Sequence, residues 1–461
     1  MLARVAIALL GLVNTAIVAR ALPVETYATW ATAMSLIALF TVLSDPGVSP
    51  VVMRWIGSAA YRAPSPLAVL RNRVALCFGV YALVVAGTWA LHGERGAALA
   101  LVLGAQIVPR GAASAVTVWL QSHHRQHLQS LAEFAANAVG TAIMLAAALL
   151  DAPAAALGAL GFVLPSIALA AIARRQLDAL PGIEHDLDSD VGMGGVWREV
   201  RPMAVAVLLA TAYSRIDVFF VNAAETAAGT AHYLIAYQFV SQSLVLAGIV
   251  GITLMPLLVR QADSSDVLAG PVLPRVFGAI ACIGICVGGV IALSAKYLIL
   301  IAGGAGYRDA RELLILLAPV VAGIFLNYFC AYLYVATERT RHYLKINIAA
   351  FAFTIVGSAL FTLSYGAEAA AHVAVATEVF VVAINVVSLS RAGSARLMLP
   401  LPLLLGLVAA CDAVVYLSAP LVVLLVPLAV TALATWSDVL ILIRSARTRS
   451  GDTPETGATV R

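Results

Sequence analysis

Charge is what this sequence has least of. Asp, Glu, Lys and Arg make up 11% of its 461 residues, where a soluble globular chain carries about 25%. Apolar residues reach 62% and the mean hydropathy is +0.96. One water-soluble core cannot bury that much apolar surface, so lipid is the solvent expected for most of it. A soluble enzyme is thereby excluded, and the net charge of +4 is no signal for nucleic acid. Cysteine is scarce as well. Cys77, Cys282, Cys286, Cys330 and Cys411 all fall inside apolar runs. They show no metal-ligand spacing and read as small core residues rather than disulfides or ligands. Long polar intervals are missing too. The longest, 176–200, is far too short for a soluble domain. The GGAGY stretch at 303–307 lacks the strand, lysine and Ser/Thr of a phosphate loop and reads as a turn. SHHRQH at 122–127 places three histidines at a turn without a metal-site pattern.

What the chain has in abundance is long apolar runs. Runs of roughly 18 residues or more are candidate transmembrane helices. They fall near 3–20, 27–50, 67–91, 97–120, 128–150, 153–173, 202–222, 231–258, 273–295, 313–336, 344–363, 369–390, 397–417 and 420–443. None alternates as a membrane strand would, so these are fourteen helices and the fold class is an all-α polytopic membrane protein. An even number puts both termini on one side. Assigning alternate loops to that side gives it 21 of the 28 basic residues, against five on the other, with Arg110 and Arg215 inside spans. This bias follows the positive-inside rule, so both termini and the loop at 176–200 are expected in the cytoplasm.

Spans 2 and 8 carry an internal repeat. Tyr27, Pro50 and Arg54 recur as Tyr233, Pro256 and Arg260, each 206 residues on, and the closing hexads are SPVVMR and MPLLVR. Six spans separate the copies, which implies two halves of the same orientation. Transporters built on such repeats place the substrate between the halves, near mid-membrane. The repeat needs span 1 as the partner of span 7. It therefore argues against a cleaved signal peptide, although Arg4, the first apolar run and Ala19-Arg20-Ala21 fit one loosely. The expected organisation is an N-terminal six-helix lobe (1–175), a cytoplasmic loop (176–200), a second six-helix lobe (201–391), two extra helices (392–444) and a disordered cytoplasmic tail (445–461).

Several stretches together resemble a known family. IVARALPVETYATWATAMSLIALFTVLSDPGVSPVVMRW, SRIDVFFVNAAETAAGTAHYLIAYQFV, and LLILLAPVVAGIFLNYFCAYLYVATERTRHYLKINIAAFAFTIVGSALF with YGAEAAAHVAVATEVF are similar to helices 1–2, 7–8 and 10–12 of bacterial polysaccharide flippases. Those belong to the multidrug/oligosaccharidyl-lipid/polysaccharide exporter superfamily. The proline after Asp45 and the Ala371-His372 pair depart from its pattern. The resemblance implies a V-shaped pair of lobes, as in the superfamily's multidrug exporters. It implies a carrier that moves undecaprenyl-diphosphate-linked oligosaccharide (of O-antigen, capsule or exopolysaccharide type) from the inner to the outer leaflet of the bacterial plasma membrane. The partners implied are that substrate, membrane lipids and the glycan polymerase or ligase machinery. No nucleic acid, cofactor, metal or catalytic residue is expected.

A diphosphate-linked sugar needs a wet cavity with cations for the diphosphate and hydrogen-bonding groups for the glycan. Arginine suits diphosphate because its planar fork donates in pairs and stays charged. The substrate-binding candidates are Arg215, Arg110, Arg20, Asn327 and Tyr237. Three uses stay open for Arg215. It can face a cavity, snorkel about 10 Å to the headgroups past Asn222, or belong to a structural ion pair. Its sequence neighbour Asp217 is not on the same helix face. An ion-coupled exporter also needs a buried carboxylate that takes up a proton or Na⁺, and Asp217 and Glu378 are the candidates. Asp45 reads as a cap or an arginine partner beside a helix break at Pro46-Gly47. Tyr27, Trp30, Trp55, Trp119, Tyr297 and Tyr307 read as interfacial belt residues. Two other functions compete: a cation-coupled multidrug exporter, which favours acidic residues in its cavity, and a membrane enzyme of glycan assembly. The enzyme would call for a large outer loop or an intramembrane His/Asp set, and neither is present in the sequence.

Overall fold

The computed structural model describes residues 2–56, 64–123, 125–179, 193–264, 272–337, 339–390 and 400–431. The loop core at 180–192, the second half of span 14, the tail, and the side chains of Arg54 and Arg260 lie outside that description. All regular structure in the described residues is helical. Among the described residues ten helices are long and apolar enough to cross a membrane, two of them 56 and 49 residues long.

Those two are helical hairpins, Pro66–Gln121 and Arg341–Leu389. Each breaks at a glycine of positive φ, Gly93 (φ 64°) and Gly366 (φ 72°). Only glycine adopts that backbone cheaply. Across the first hairpin the Tyr81 hydroxyl donates to the Leu101 carbonyl at 2.7 Å, and across the second the hydroxyls of Thr354 and Thr377 meet at 3.1 Å. Each therefore supplies two spans. With the shorter apolar helices Leu401–Tyr416 and Val422–Thr431, described helix lies at each of the fourteen expected spans, the last of them as far as Thr431.

Two spans are interrupted, span 2 where Pro46-Gly47 is expected to break it and span 7 where the sequence reading expects no break. Span 2 is not continuous over 27–50. Val24–Thr41 ends in a tight turn at Val42–Ser44, and a separate helix runs Val48–Ile56. Pro46 removes a donor, and Gly47 takes φ 100°, so the helix cannot pass. Asp45 then caps the new helix, accepting from the Ser49 amide at 3.1 Å. Span 7 is likewise split, into Gly194–Tyr213 and Asp217–Ala224.

Span 1 packs on span 5 as span 7 packs on span 11; span 4 packs on span 6 as span 10 packs on span 12. Local features recur at nearly one spacing, 211, 210 and 210 residues. Gly93 and Gly304 both take positive φ at the turns leading into spans 4 and 10. Pro109 and Pro319 lie within those spans. Asn137 and Asn347 each donate back to the carbonyl four residues earlier. The fold is thus a duplicated six-helix bundle with spans 13 and 14 added. Lipid is its solvent: Leu149, Leu150 and Ile301 are exposed at 77, 81 and 64%, an outward apolar surface that water would not tolerate.

The halves meet along spans 1, 2 and 8. Call the membrane face nearest Leu2 proximal and the other distal. At the distal face Arg20 donates to the Leu300 carbonyl at 3.0 Å, and the rings of Tyr27 and Tyr307 meet edge-on at 5.4 Å. Deeper, Thr32 and Asn222 bond at 3.2 Å. At the proximal face Val196 and Val200 of span 7 join a cluster otherwise built from the first half, and Trp197 donates to Asn72 at 3.2 Å.

Candidate functional site

The break in span 7 sets the geometry. Its lower piece ends at Tyr213 and its upper piece starts at Asp217, leaving a carbonyl of the turn without its helical donor. In lipid every such group must find a partner, and here the Tyr237 hydroxyl of span 8 donates to the Ser214 carbonyl. Asp217 then starts the upper helix, its Oδ1 accepting from the Val218 amide at 2.9 Å. A carboxylate suits the positive end of a helix dipole. Arg215, within the turn, lies over the Tyr237 ring at 5.1 Å.

Arg215 opens on a cavity of about 660 Å3 between the two halves, within the 300–1,000 Å3 range of small-molecule sites. Its walls come from spans 1, 2, 4, 5 and 6 on one side and spans 7, 8 and 10 on the other. It reaches from Tyr27 and Trp30 under the distal contacts to Arg4 and Tyr332 toward the proximal face. Arg110 enters from the opposite half. Its Nε donates to Ser166 at 3.0 Å and its Nη2 to Asn137 at 3.3 Å. Glu133 also lines the cavity and is held by Gln129 at 3.2 Å. Arg4, Arg110 and Arg215 against Glu133 leave the lining with an excess of two positive charges. Asn14, Gln238 and Gln242 add hydrogen-bonding amides, and the Asn14 Oδ1 is buried with no partner.

The sequence candidates separate accordingly. Arg215, Arg110 and Tyr237 converge on the cavity. Arg20 and Asn327 are not part of its lining. Arg20 is spent on the distal seam, and Asn327 is buried beside Glu378 and accepts from Asn385 at 3.1 Å. Neither is placed to touch a ligand there. Tyr27, Trp30, Trp119 and Tyr307 are buried at 2–4% rather than belted at the interface. Tyr27 and Trp30 line the cavity instead. Of that belt group Tyr297 is the exposed member, at 64%. Asp45 takes the arginine-partner role, bonded to Arg73 at 2.8 Å. Arg73, counted as a loop charge from the sequence, is buried in span 3.

Asp217 and Glu378 share a second, smaller pocket with Tyr213, Ser214, Thr354 and Thr377. Its volume is about 20 Å3, enough for one water-sized occupant. The Tyr233 hydroxyl donates to Asp217 Oδ2, and Asn327 donates to Glu378 Oε2. Carboxylates and hydroxyls around so small a space form a hard-oxygen donor set suited to a proton or a small cation. Tyr237 lines both this pocket and the main cavity.

The two-lobed arrangement is that of membrane flippases and multidrug exporters whose structures are known. The chain superposes on lipid II flippase MurJ in its inward closed conformation with TM-score 0.65 and 13% identity, over 95% of this chain and 97% of that one. An inward-facing multidrug-resistance MATE family transporter of the MOP superfamily gives TM-score 0.61 at 11% identity, over 85% and 95%. A point mutant of the Vibrio cholerae MATE transporter VcmN gives 0.58 at 14%, over 86% and 96%. No protein-family model matches the chain, and no curated protein matches it by sequence.

Proposed function

We propose that the protein is a flippase that carries undecaprenyl-diphosphate-linked oligosaccharide from the inner to the outer leaflet by alternating access. The observation that carries this reading is the meeting of Arg215 and Arg110, from opposite halves, in one cavity lined by amides and aromatic rings. A diphosphate brings the negative charge that the lining's positive excess complements. Guanidinium forks bind its oxygens in pairs, while Asn14, Gln238 and Gln242 meet sugar hydroxyls. Asp217 and Glu378 take up the coupling ion. The halves extend over 1–175 and 201–391, with the loop 176–200 and both termini in the cytoplasm of a bacterium and the proximal face facing it. Glycan polymerase or ligase machinery receives the product at the distal face.

Glu133 in the cavity lining, together with the MATE likeness, favours a second reading as a cation-coupled multidrug exporter. The positive excess of the lining opposes it, because a cationic drug would meet net repulsion. Cells lacking the protein separate the two. The flippase reading expects lipid-linked oligosaccharide to accumulate on the inner leaflet with unchanged sensitivity to cationic dyes. Normal surface glycan with raised dye sensitivity would replace it by the exporter reading.

A further inference from the structure

Among the described residues Tyr237 is the one common to the linings of the large cavity and the acidic pocket. Its ring lies beneath the Arg215 guanidinium at 5.1 Å. Its hydroxyl holds the Ser214 carbonyl at the break in span 7. Its other neighbour, Tyr233, stacks on it at 6.0 Å with the planes 20° apart and donates its own hydroxyl to Asp217. One side chain thus touches, directly or through one ring, the cation of the cavity, the carboxylate of the pocket and the backbone turn between them.

We propose that Tyr237 is a positioning residue that couples occupancy of the acidic pocket to binding of the anionic headgroup at Arg215. This inference rests on the carrier reading above. An anion at Arg215 draws the guanidinium off the Tyr237 ring, giving up a cation–π contact. The ring and its hydroxyl then settle differently against Ser214, where the helix that begins with Asp217 is anchored. Tyr233 follows through the stack, and the hydrogen bond on Asp217 changes with it. In the other direction, a cation between Asp217 and Glu378 competes for the oxygen that Tyr233 holds and moves the stack toward Arg215. Linkage makes the two effects equal in size. The titratable groups facing the pocket are Asp217, Glu378, Tyr213 and Tyr237, with Tyr233 and Arg215 one layer out.

The test is binding of undecaprenyl diphosphate to the full-length protein in nanodiscs, titrated with and without Na⁺ and at pH 6 and 8. For the unchanged protein the affinity shifts about fivefold or more between ion conditions, the lower end of typical coupling. Tyr237→Leu, which removes a ring of the cavity lining, binds the probe more weakly in both ion conditions, and the shift between them falls below about twofold. Tyr237→Phe keeps the ring under Arg215 and loses the anchor on Ser214, so at least half of the shift disappears. If Tyr237→Leu does not fold, the Phe variant decides alone. A full shift in either folded variant overturns the role of Tyr237 and leaves the carrier reading standing. No binding by the unchanged protein, or binding that ions do not move, overturns the carrier or ion-coupling reading and this inference with it.

Discussion

Removing the Arg215 guanidinium is the sharpest perturbation of the cavity. No carboxylate among the described residues forms a salt bridge with Arg215, and its described partner is the face of Tyr237. Its donors are therefore available to a ligand, unlike those of Arg110, which already serve Ser166 and Asn137. A charge-assisted hydrogen bond contributes about 1.5–3 kcal/mol. Losing a paired set from a partly wet cavity should therefore cost about that much in total, or roughly 10- to 150-fold in affinity at about 1.4 kcal/mol per tenfold. Arg215→Ala should weaken undecaprenyl diphosphate binding by that factor, while Arg215→Lys, which keeps charge but not the fork, should lose roughly tenfold or less. Arg110→Ala should lose less affinity and more stability, because it removes the donors that Ser166 and Asn137 accept from. Calorimetry or fluorescence titration in nanodiscs reads the first effect and detergent melting curves read the second. Arg215→Ala binding within threefold of the unchanged protein, at equal melting temperature, would refute the assignment.

Two further outcomes concern the scaffold. Arg73 is 2% exposed and bonds both Asp45 and Ser49 at 2.8 Å. Arg73→Met leaves a carboxylate poorly compensated and should cost about 3 kcal/mol, the low end for a broken buried pair because Asp45 is 29% exposed. Adding Asp45→Asn should recover part of that loss in a double-mutant cycle of chemical-denaturation midpoints, and simple additivity would contradict the pairing. Gly93→Ala and Gly366→Ala share a backbone cost of about 1–3 kcal/mol. A Cβ at Gly93 meets nothing within 4 Å, whereas at Gly366 it would stand 2.1 Å from Glu225 Oε1, the atom that accepts from the Ala367 amide at 2.7 Å. Gly366→Ala should therefore lower the melting temperature clearly more than Gly93→Ala, and equal shifts would contradict the Glu225 contact at the Gly366 turn.

The helix count was legible because lipid enforces it: spans must be long and apolar, and their charges must sort by side. The break at Asp45-Pro46-Gly47 was legible for the same local reason, since proline and a positive-φ glycine stop any helix. Arg73 was not. A lysine or arginine near a span end looks the same in sequence whether it anchors the loop or reaches back to a carboxylate 28 positions away. Tyr27 and Trp30 misled in a similar way, because closeness to a span end does not say whether a ring faces headgroups or the opposite lobe. Asp217 and Glu378 each stood out as charges in oil. That they share one pocket with Thr354 and Thr377 depends on how spans 7, 11 and 12 pack, which no local pattern records. Glu133 likewise gained significance only once span 5 was placed against the cavity.

Flipping of a fluorescent undecaprenyl-diphosphate-linked oligosaccharide in liposomes containing the purified protein tests the carrier reading most directly. A membrane-impermeant quencher should reach label initially shielded in the inner leaflet, at a rate that rises with protein density. Arg215→Ala should slow that rate by at least tenfold. Quenching that stops at the outer-leaflet fraction, whatever the amount of protein or ion gradient, would contradict a cavity built to carry a diphosphate head across the bilayer.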